Sequence, residues 1–457
     1  MRISSDCSVS LLLIVLIGHF ESMKLFTVAA AAGLIVAASA DQDDCAPKQL
    51  HIAGSKDAKV GMVITFSTAD ACSGASISYG MDIDSMDRTA TSDEVPYTYS
   101  QETTKYGKYT SEYIHNIEIA SLSAGTKYYY SVSGSDVHHS FTTAPTSDTY
   151  PVKFGVVGDL GQTSDSASTV QQMSEEKVDA ILHAGDMSYS DCDHLRWDSW
   201  FDMVEYVASE TPWYVVGGNH EIEHSDVSNE IFVAYEARFA MPKIKDAVME
   251  PTTVTTECTP SELYGAHYDY GNSFYSFEWG PAKMIMLNSY TDTAEGSPQY
   301  DWLVSELEQV DREKTPWVIA VYHCPTYNSF SDHQGEKQQI AMKENMEPLF
   351  AKHRVNIAFN GHVHGYERTF PVVDNEVKEV GSVYVITGEG GNREGHARGF
   401  LDESSPSWSA FRDNETFGHS TLEILNSTHA AFTWKKNVAP GLFETADAVT
   451  FVNQYYE

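Results

Sequence analysis

The chain has 457 residues, which is enough for two or three domains and excludes a single small module. Apolar residues make up 42% of it, so packed cores can form and a wholly disordered polypeptide is excluded. The net charge of −36 comes from 65 acidic and 29 basic residues, and it makes nucleic acids and anionic membrane surfaces poor partners.

The first 40 residues have the pattern of a targeting region. Residues 23–40 combine a basic start, an apolar run and a final Ala38-Ser39-Ala40, which is the small-residue cleavage site of a secretory signal. We therefore expect a signal peptide at 23–40, a mature chain beginning near Asp41, and a secreted, extracellular protein. Residues 1–22 precede this signal, and they represent either an over-extended gene start or an unusual leader. No later segment has the length and apolarity of a membrane span, so no membrane partner is expected.

Five cysteines remain after removal of such a leader, an odd number for an oxidising compartment. Proximity in sequence suggests the pairs Cys45–Cys72 and Cys192–Cys258, although spacing alone does not determine connectivity. Cys324 is then left over, and we expect it to behave as a small buried hydrophobic residue.

Residues 45–145 are rich in Ser, Thr, Tyr and Gly and contain short runs in which apolar and polar residues alternate. The predicted strands are Val60–Phe66, Ala75–Tyr79, Tyr113–Ile119 and Tyr128–Val132. This pattern indicates an antiparallel, all-β sandwich. The stretch Leu122–Tyr128 is similar to the corner of fibronectin type III domains, in which a tyrosine hydroxyl bonds back to the backbone. We expect a fibronectin III-like domain that ends at Pro145.

From residue 151 to about 437, short apolar strands alternate with amphipathic helices, as in an α/β domain. The predicted strands are Val152–Val157, Ala180–His183, Trp213–Val216, Trp317–Tyr322, Val355–Phe359 and Val383–Thr387. The predicted helices are Ser166–Lys177, Trp197–Ala208, Gln299–Lys314 and Gln338–His353.

Polar clusters follow the first five of these strands. They are Gly158-Asp159-Leu160-Gly161, Gly185-Asp186-Met187-Ser188-Tyr189, Gly218-Asn219-His220-Glu221, His323, and Gly361-His362-Val363-His364. Side chains at the carboxyl ends of strands in an open α/β sheet meet at one rim. Oxygen and nitrogen donors of this kind favour Fe(III), Zn(II), Mn(II) or Fe(II) over metals that prefer thiolates. The clusters offer seven donor side chains: two aspartates, one asparagine, one tyrosine and three histidines. These seven can hold two metals only if one carboxylate bridges them, and a bridged pair of metals activates a hydroxide for displacement at phosphorus.

These clusters resemble the motifs GDxG, GDxxY, GNH plus an acidic residue, VxxH and GHxH of the purple acid phosphatases, which belong to the metallophosphoesterase superfamily. The resemblance covers nearly all of the mature chain, because plant-type members also place a fibronectin-like domain before the catalytic one. The VxxH position departs slightly and reads Ala320-Val321-Tyr322-His323. The resemblance implies a ferric iron held by Asp159, Tyr189 and His364, a divalent metal (Zn, Mn or Fe) held by Asn219, His323 and His362, and Asp186 as the bridge.

The resemblance also implies roles for residues beside the metals. His220 would hold a phosphate oxygen or the leaving group, and His333 would donate a proton to the leaving alkoxide. Asp332 stands where plant-type members have a first histidine of a pair. It either tunes the pKa of His333, shares the proton donation, or is a solvated loop residue. Glu221 is either a partner of the ligands or an exposed side chain.

We therefore expect a secreted acid phosphatase that hydrolyses small phosphate monoesters through a metal-bound hydroxide at a binuclear Fe(III)–M(II) centre. A phosphodiesterase or pyrophosphatase on the same scaffold is one alternative, and a secreted binding protein whose metal site has lapsed is another. Asn414 and Asn426 each begin a glycosylation sequon. The sequence leaves the oligomeric state open.

Overall fold

The computed structural model describes residues 44–92, 94–244, 257–402, 404–439 and 441–456. The expected leader and signal peptide at 1–40 lie outside the described residues. Within the described ranges, no helix combines the length and apolarity that crossing a membrane requires.

The N-terminal region consists of strands alone. They are β1 (Lys48–Gly54), β2 (Met62–Thr68), β3 (Ser76–Gly80), β4 (Arg88–Thr91), β5 (Ser100–Thr103), β6 (Gly107–Thr110), β7 (Tyr113–Ile119), β8 (Lys127–Val132) and β9 (His139–Thr142). One antiparallel sheet has the order β1-β2-β7 and another the order β4-β3-β8-β9, while β5 and β6 form a separate hairpin. Alternate residues of both sheets fill one core, which confirms the predicted β-sandwich.

The predicted tyrosine corner is present. Tyr128 is fully buried, and its hydroxyl oxygen accepts a hydrogen bond from the Ser123 backbone N–H at 3.0 Å. Strand β2 begins two residues later than predicted, because the N–H groups of Val60 and Gly61 both donate to the Asp57 carbonyl in a turn.

The C-terminal region combines two sheets with helices. Its strands are β10 (Val152–Val157), β11 (Ala180–His183), β12 (Trp213–Val215), β13 (Tyr275–Trp279), β14 (Ala282–Met286), β15 (Trp317–Val321), β16 (Ile357–Asn360), β17 (Tyr366–Thr369), β18 (Val372–Val373), β19 (Glu376–Val377), β20 (Val383–Thr387), β21 (Ser409–Asp413), β22 (Gly418–Ile424), β23 (His429–Ala439) and β24 (Leu442–Val452). Its α-helices are α1 (Ser164–Glu175), α2 (Leu195–Ala208), α3 (Val233–Arg238), α4 (Pro298–Glu308), α5 (Lys337–Ala341) and α6 (Glu347–His353), with a π-turn at Met342–Met346 and 3₁₀ turns at Asn219–Glu221 and Gln454–Tyr456.

The two sheets pack face to face. The first has the order β12-β11-β10-β22-β23-β24 and the second the order β13-β14-β15-β16-β20-β17-β21, with β18 and β19 as a small hairpin. In β15, Ile319 and Val321 face the core between the sheets, while Val318 and Ala320 face α4 and α6 on the outside. The strand is therefore apolar on both faces, as expected for a parallel strand covered on both sides. The predicted α/β architecture, with helices flanking the sheets, is confirmed.

The segment Gln338–His353, predicted as one helix, is divided into α5, the π-turn and α6. Pro348 stands in the first turn of α6 and has no N–H to donate to the preceding turn, which explains a break at this point. Helix α3 and the strands β13, β14, β17 to β19 and β21 to β24 were absent from the sequence prediction.

Both suggested disulfides are confirmed. The Cα atoms are 5.7 Å apart in Cys45–Cys72 and 5.8 Å apart in Cys192–Cys258. Cys324 is unpaired and buried, as expected.

A buried arginine joins the sandwich to the C-terminal α/β region. The guanidinium of Arg238, at the end of α3, donates to Gln49 Oε1 at 2.8 Å and to the hydroxyls of Tyr99 and Tyr109 at 3.0 and 2.7 Å. It also pairs with Asp198 of α2 at 2.8 Å. Every donor or acceptor in this group has a partner, so the polar contact can be buried at the interface.

Candidate metal centre

The loops that follow β10, β11 and β12 of the first sheet meet the loops that follow β15 and β16 of the second. His323 Nδ1–H, after β15, donates to the Ala184 carbonyl after β11 at 2.7 Å, and the His362 backbone N–H, after β16, donates to Asp159 Oδ2 after β10 at 2.9 Å. The predicted ligands therefore converge from two sheets, and not from one rim of a single sheet as the sequence suggested. The structure brings together all seven of them: Asp159, Asp186, Tyr189, Asn219, His323, His362 and His364.

The glycines of the motifs allow this close approach. A Cβ atom on Gly218 would lie 2.1 Å from Asp186 Oδ1, and one on Gly361 would lie 2.3 Å from Asp159 Oδ2. At Gly185 it would lie 2.5 Å from Nδ1 of His323. These distances are impossible for real atoms, so a side chain at any of the three positions would displace a predicted ligand.

Four of the predicted ligands have left-handed backbone conformations. The φ angles are 52° at Asp159, 53° at Asp186, 51° at Tyr189 and 70° at His362. Such values are uncommon for residues other than glycine and concentrate at functional sites. The turns after the strands thus aim these side chains inward at a cost in backbone energy.

The first group of donors contains the tyrosine. Tyr189 Oη lies 3.2 Å from Asp159 Oδ1 and 3.0 Å from His364 Nε2. His364 Nε2 is 3.4 Å from the same carboxylate oxygen. One phenol, one carboxylate and one imidazole therefore face a common point.

The second group contains two histidines. His323 Nε2 lies 3.0 Å from Asp186 Oδ2 and 3.2 Å from Asn219 Oδ1, and His362 Nδ1 lies 3.0 Å from the same amide oxygen. Ligand atoms of Asp186, His323 and His362 all lie within 4.8 Å of one another.

The hydrogen bonds of the two imidazoles show that this group fits a cation. His323 Nδ1–H donates to the Ala184 carbonyl at 2.7 Å, so the lone pair of Nε2 faces oxygen acceptors of Asp186 and Asn219. Burial alone would lower the pKa of His323, but the charges of Asp186 and Asp159 raise it to about 9. His362 Nε2–H donates to Glu336 Oε2 at 2.7 Å, so the lone pair of its Nδ1 faces Asn219 Oδ1, and the two imidazoles together fit a bound cation.

Glu221 is a partner of the ligand loops and is not exposed. Its side chain is fully buried, and its carboxylate accepts N–H groups of Asp186, Met187 and Gly218, each at 2.8 Å. The Glu221 carboxylate thus fixes both the loop that begins at Gly185 and the loop that begins at Gly218.

His220 is buried beside the first group. Its ring centroid is 4.0 Å from that of Tyr189, and its Nδ1 lies 2.5 Å from Asp191 Oδ1. Burial would lower its pKa, but Asp186 and Asp191 raise it to about 10. Asp191, which also pairs with Arg393, was missed by the sequence analysis. Its position two residues after Tyr189 was the available signal.

His333 is linked to the second group through Glu336. The Glu336 carboxylate lies 2.8 Å from His333 Nδ1 and 2.7 Å from His362 Nε2, and the two rings are 3.9 Å apart. Asp332 points to the other side, where its carboxylate accepts the Arg398 backbone N–H at 2.7 Å and also pairs with the guanidinium. Glu336 was missed by the sequence analysis, and only its spacing of three residues from His333 could have indicated it.

Comparisons with known proteins agree with this geometry. The profile of the family described as "Purple acid Phosphatase, N-terminal domain" matches residues 47–154, that of "Calcineurin-like phosphoesterase" matches 152–366, and that of "Iron/zinc purple acid phosphatase-like protein C" matches 381–443. Purple acid phosphatase 22 of Arabidopsis thaliana is 38% identical over 87% of this chain and 83% of its own length. Fe(3+)-Zn(2+) purple acid phosphatase 12 of the same plant is 31% identical over 90% of this chain and 85% of its own.

A solved structure shares the fold. The purple acid phosphatase PPD1 of yellow lupin (Lupinus luteus) superposes with a TM-score of 0.72 at 20% identity, covering 89% of this chain and 74% of the lupin chain. The paired sheets and the strand-end donors thus define a metallophosphoesterase. The chain belongs to the purple acid phosphatase family and is a phosphatase enzyme, because the three profiles match it in succession and its relatives are similar over most of their length.

We expect Glu221→Gln to lower the affinity for Zn²⁺ by ~10–100-fold, the effect typical of removing a partner that orients ligands. The amide supplies a single acceptor oxygen and would turn an N–H group toward one of the three backbone donors. The measurement is competition of the metal-depleted protein with a chromophoric zinc chelator. Glu175→Gln, at an exposed position in α1, is the matched control. Affinity equal to that of the unmodified protein would contradict the positioning role of Glu221.

Proposed function

We propose that the chain hydrolyses phosphate monoesters of small molecules at a binuclear centre of Fe(III) and a divalent metal, which is Zn, Mn or Fe. The observation that carries the proposal is the pair of adjacent donor groups, one with a buried phenol and one with imidazole lone pairs that face acceptor oxygens. The relative named as a Fe(3+)-Zn(2+) enzyme supports this choice of metals.

The ligand assignment follows the chemistry of the two groups. Burial and the charge of Asp159 raise the pKa of Tyr189 far above its usual value, so a strongly charged hard cation such as Fe(III) is needed to ionise it. We assign Asp159, Tyr189 and His364 to iron, Asn219, His323 and His362 to the divalent metal, and Asp186 to the bridge. When bound, the two metals supply Lewis-acid charge that activates water and neutralises phosphoryl oxygens.

The surrounding side chains handle the substrate. His220, kept charged by Asp191, would bind a phosphoryl oxygen through Nε2. His333 Nδ1 is held by Glu336, which leaves Nε2–H to protonate the departing alkoxide. The pKa of Asp332 is lowered, because the N–H and guanidinium of Arg398 outweigh its partial burial, so we favour His333 over Asp332 as the proton donor.

Metal binding to Tyr189 is tested by Tyr189→Phe. We expect the variant to lose the visible charge-transfer absorption that an iron-bound phenolate produces, because phenylalanine has no oxygen. The iron content would fall because the iron site loses one ligand. Part of the turnover would survive because the phenolate does not attack the substrate. The measurements are an absorption spectrum and metal quantification on the same sample. Tyr206→Phe, on the exposed side of α2, is the control, and unchanged colour in Tyr189→Phe would exclude the assignment.

The proton donor is tested by leaving-group dependence. His333→Ala should reduce kcat for alkyl phosphates by ~10²–10⁴-fold and reduce it much less for p-nitrophenyl phosphate, whose leaving group departs without protonation. Asp332→Asn, a variant of the adjacent residue, should show no such dependence. If instead Asp332→Asn shows it and His333→Ala does not, Asp332 is the donor. Equal losses on both substrates would exclude both residues from this role.

We further propose that the protein is a secreted glycoprotein modified at Asn414 and Asn426. Asn426 is exposed, and its Oδ1 accepts the Thr428 hydroxyl at 2.8 Å within its own sequon. Asn414 is half-buried and its Nδ2 donates to the Ala397 carbonyl at 3.1 Å, so we expect higher occupancy at Asn426.

Expression in a eukaryotic secretory host tests this proposal. Peptide mass spectrometry of the exported protein should find a mature N-terminus near residue 41 and a glycan attached through N-acetylglucosamine at Asn426. Retention inside the cell, or an unmodified Asn426 peptide in exported protein, would contradict it. Asn426→Gln, in which only this sequon is removed, identifies the glycan-dependent mass shift.

A further inference from the structure

We propose that residues 391–400, named here the mouth strap, cross the opening of the metal centre and limit the enzyme to small phosphate monoesters. The exposed Arg398–Asp332 ion pair holds the strap closed. This inference rests on the phosphatase function proposed above and concerns which substrates reach that site.

The strap contacts residues of the site, or residues next to them, at three points. Near its start, Arg393 pairs with Asp191, the residue bonded to His220. In its middle, Ala397 N–H donates to the carbonyl of His364 at 2.8 Å. The strap therefore passes from the His220 side over a predicted iron ligand toward the last contact, which lies beside His333.

That last contact is made by Arg398. Its backbone N–H donates to Asp332 Oδ2 at 2.7 Å and its guanidinium pairs with the same carboxylate. The following residues pair with the chain that carries His333, since Ser331 N–H donates to the Gly399 carbonyl at 2.8 Å and Leu401 N–H donates to the Ser329 carbonyl at 2.9 Å.

The beginning of the strap is firmly anchored. The Gly391 carbonyl accepts the hydroxyls of Thr163 and Ser166 at 2.6 and 2.9 Å, and Asn392 Nδ2 donates to the Asp159 carbonyl at 3.2 Å. Asn392 is buried. Movement of the strap must therefore begin after residue 392.

The segment around Arg398 is suited to opening. The Arg398 side chain is 83% exposed, and ion pairs with one exposed partner are worth little in water. Gly395 and Gly399 have φ angles of 85° and 144°, and a Cβ atom at either position would meet no atom within 4 Å. The backbone is thus permissive at Gly395 and Gly399, on either side of Ala397, which is buried and whose carbonyl accepts Asn414 Nδ2 at 3.1 Å.

The weak Arg398–Asp332 ion pair and the permissive backbone make access to the metal centre depend on the size of the substrate. A small phosphate monoester enters beneath the closed strap, whereas a phosphorylated side chain within a peptide requires displacement of the segment around Arg398. The free energy needed to break the Arg398–Asp332 ion pair is then subtracted from the binding free energy of the large substrate alone. The strap residues set selectivity without touching the reacting atoms.

The test compares kcat/KM for p-nitrophenyl phosphate and for a phosphoserine decapeptide, using the metal-loaded full chain. Arg398→Gln removes the guanidinium charge, and we expect kcat/KM for the peptide to rise by about two- to fivefold, as the loss of an exposed pair allows. kcat/KM for p-nitrophenyl phosphate should stay unchanged. Arg398→Lys should return the ratio toward that of the unmodified enzyme.

Lys436→Gln is the matched control, because Lys436 forms an ion pair with the exposed Glu444 on β23 and β24. It should leave both substrates unchanged. An unchanged ratio in Arg398→Gln, or an equal change for both substrates, would overturn the strap proposal while the phosphatase function stands. Absence of turnover of p-nitrophenyl phosphate by the unmodified, metal-loaded enzyme would overturn the function on which the proposal rests.

Discussion

The structure depends on the convergence of buried oxygen and nitrogen donors from the loops of two sheets. Imidazole nitrogens of His323 and His362 lie 3.0–3.2 Å from carboxylate and amide oxygens, and the Tyr189 hydroxyl lies 3.0 Å from His364 Nε2. Burying such groups costs free energy unless each has a partner, so a cation among them stabilises this arrangement. The motif glycines, the left-handed turns and the buried Glu221 all serve to hold these acceptors in place against that cost.

The support for the metal loops extends into the N-terminal sandwich. Glu223, two residues after Glu221, accepts the Trp197 indole N–H at 2.7 Å and the Ser190 hydroxyl at 2.5 Å. The loop that follows it is held by the β5–β6 hairpin, where Ser225 Oγ donates to the Glu102 carbonyl at 2.6 Å. The sandwich is therefore part of the framework that positions the tyrosine loop, and Arg238 fixes its docking to the catalytic region.

The parts of the molecule that could be predicted from sequence are those encoded locally. Alternating residues indicated the sandwich, and polar clusters directly after apolar strands indicated the seven donors. The division of those donors between two sheets depends on strand pairings such as β10 with β22, which are separated by more than 250 residues and leave no local signature. Asp191, Glu336 and Arg398 were missed for the same reason, because their roles come from contacts across loops and their residue types are ordinary for exposed turns.

The central claim is that ferric iron occupies the tyrosine group and a divalent metal occupies the histidine–asparagine group. Anomalous difference maps collected above and below the iron absorption edge, from crystals of the purified protein, test it most directly. The account predicts two peaks, both contacted by Asp186. The peak bordered by Asp159, Tyr189 and His364 falls sharply below the iron edge, and the other falls with it only if the divalent metal is iron. A single peak, or iron confined to the group of Asn219, His323 and His362, would contradict it.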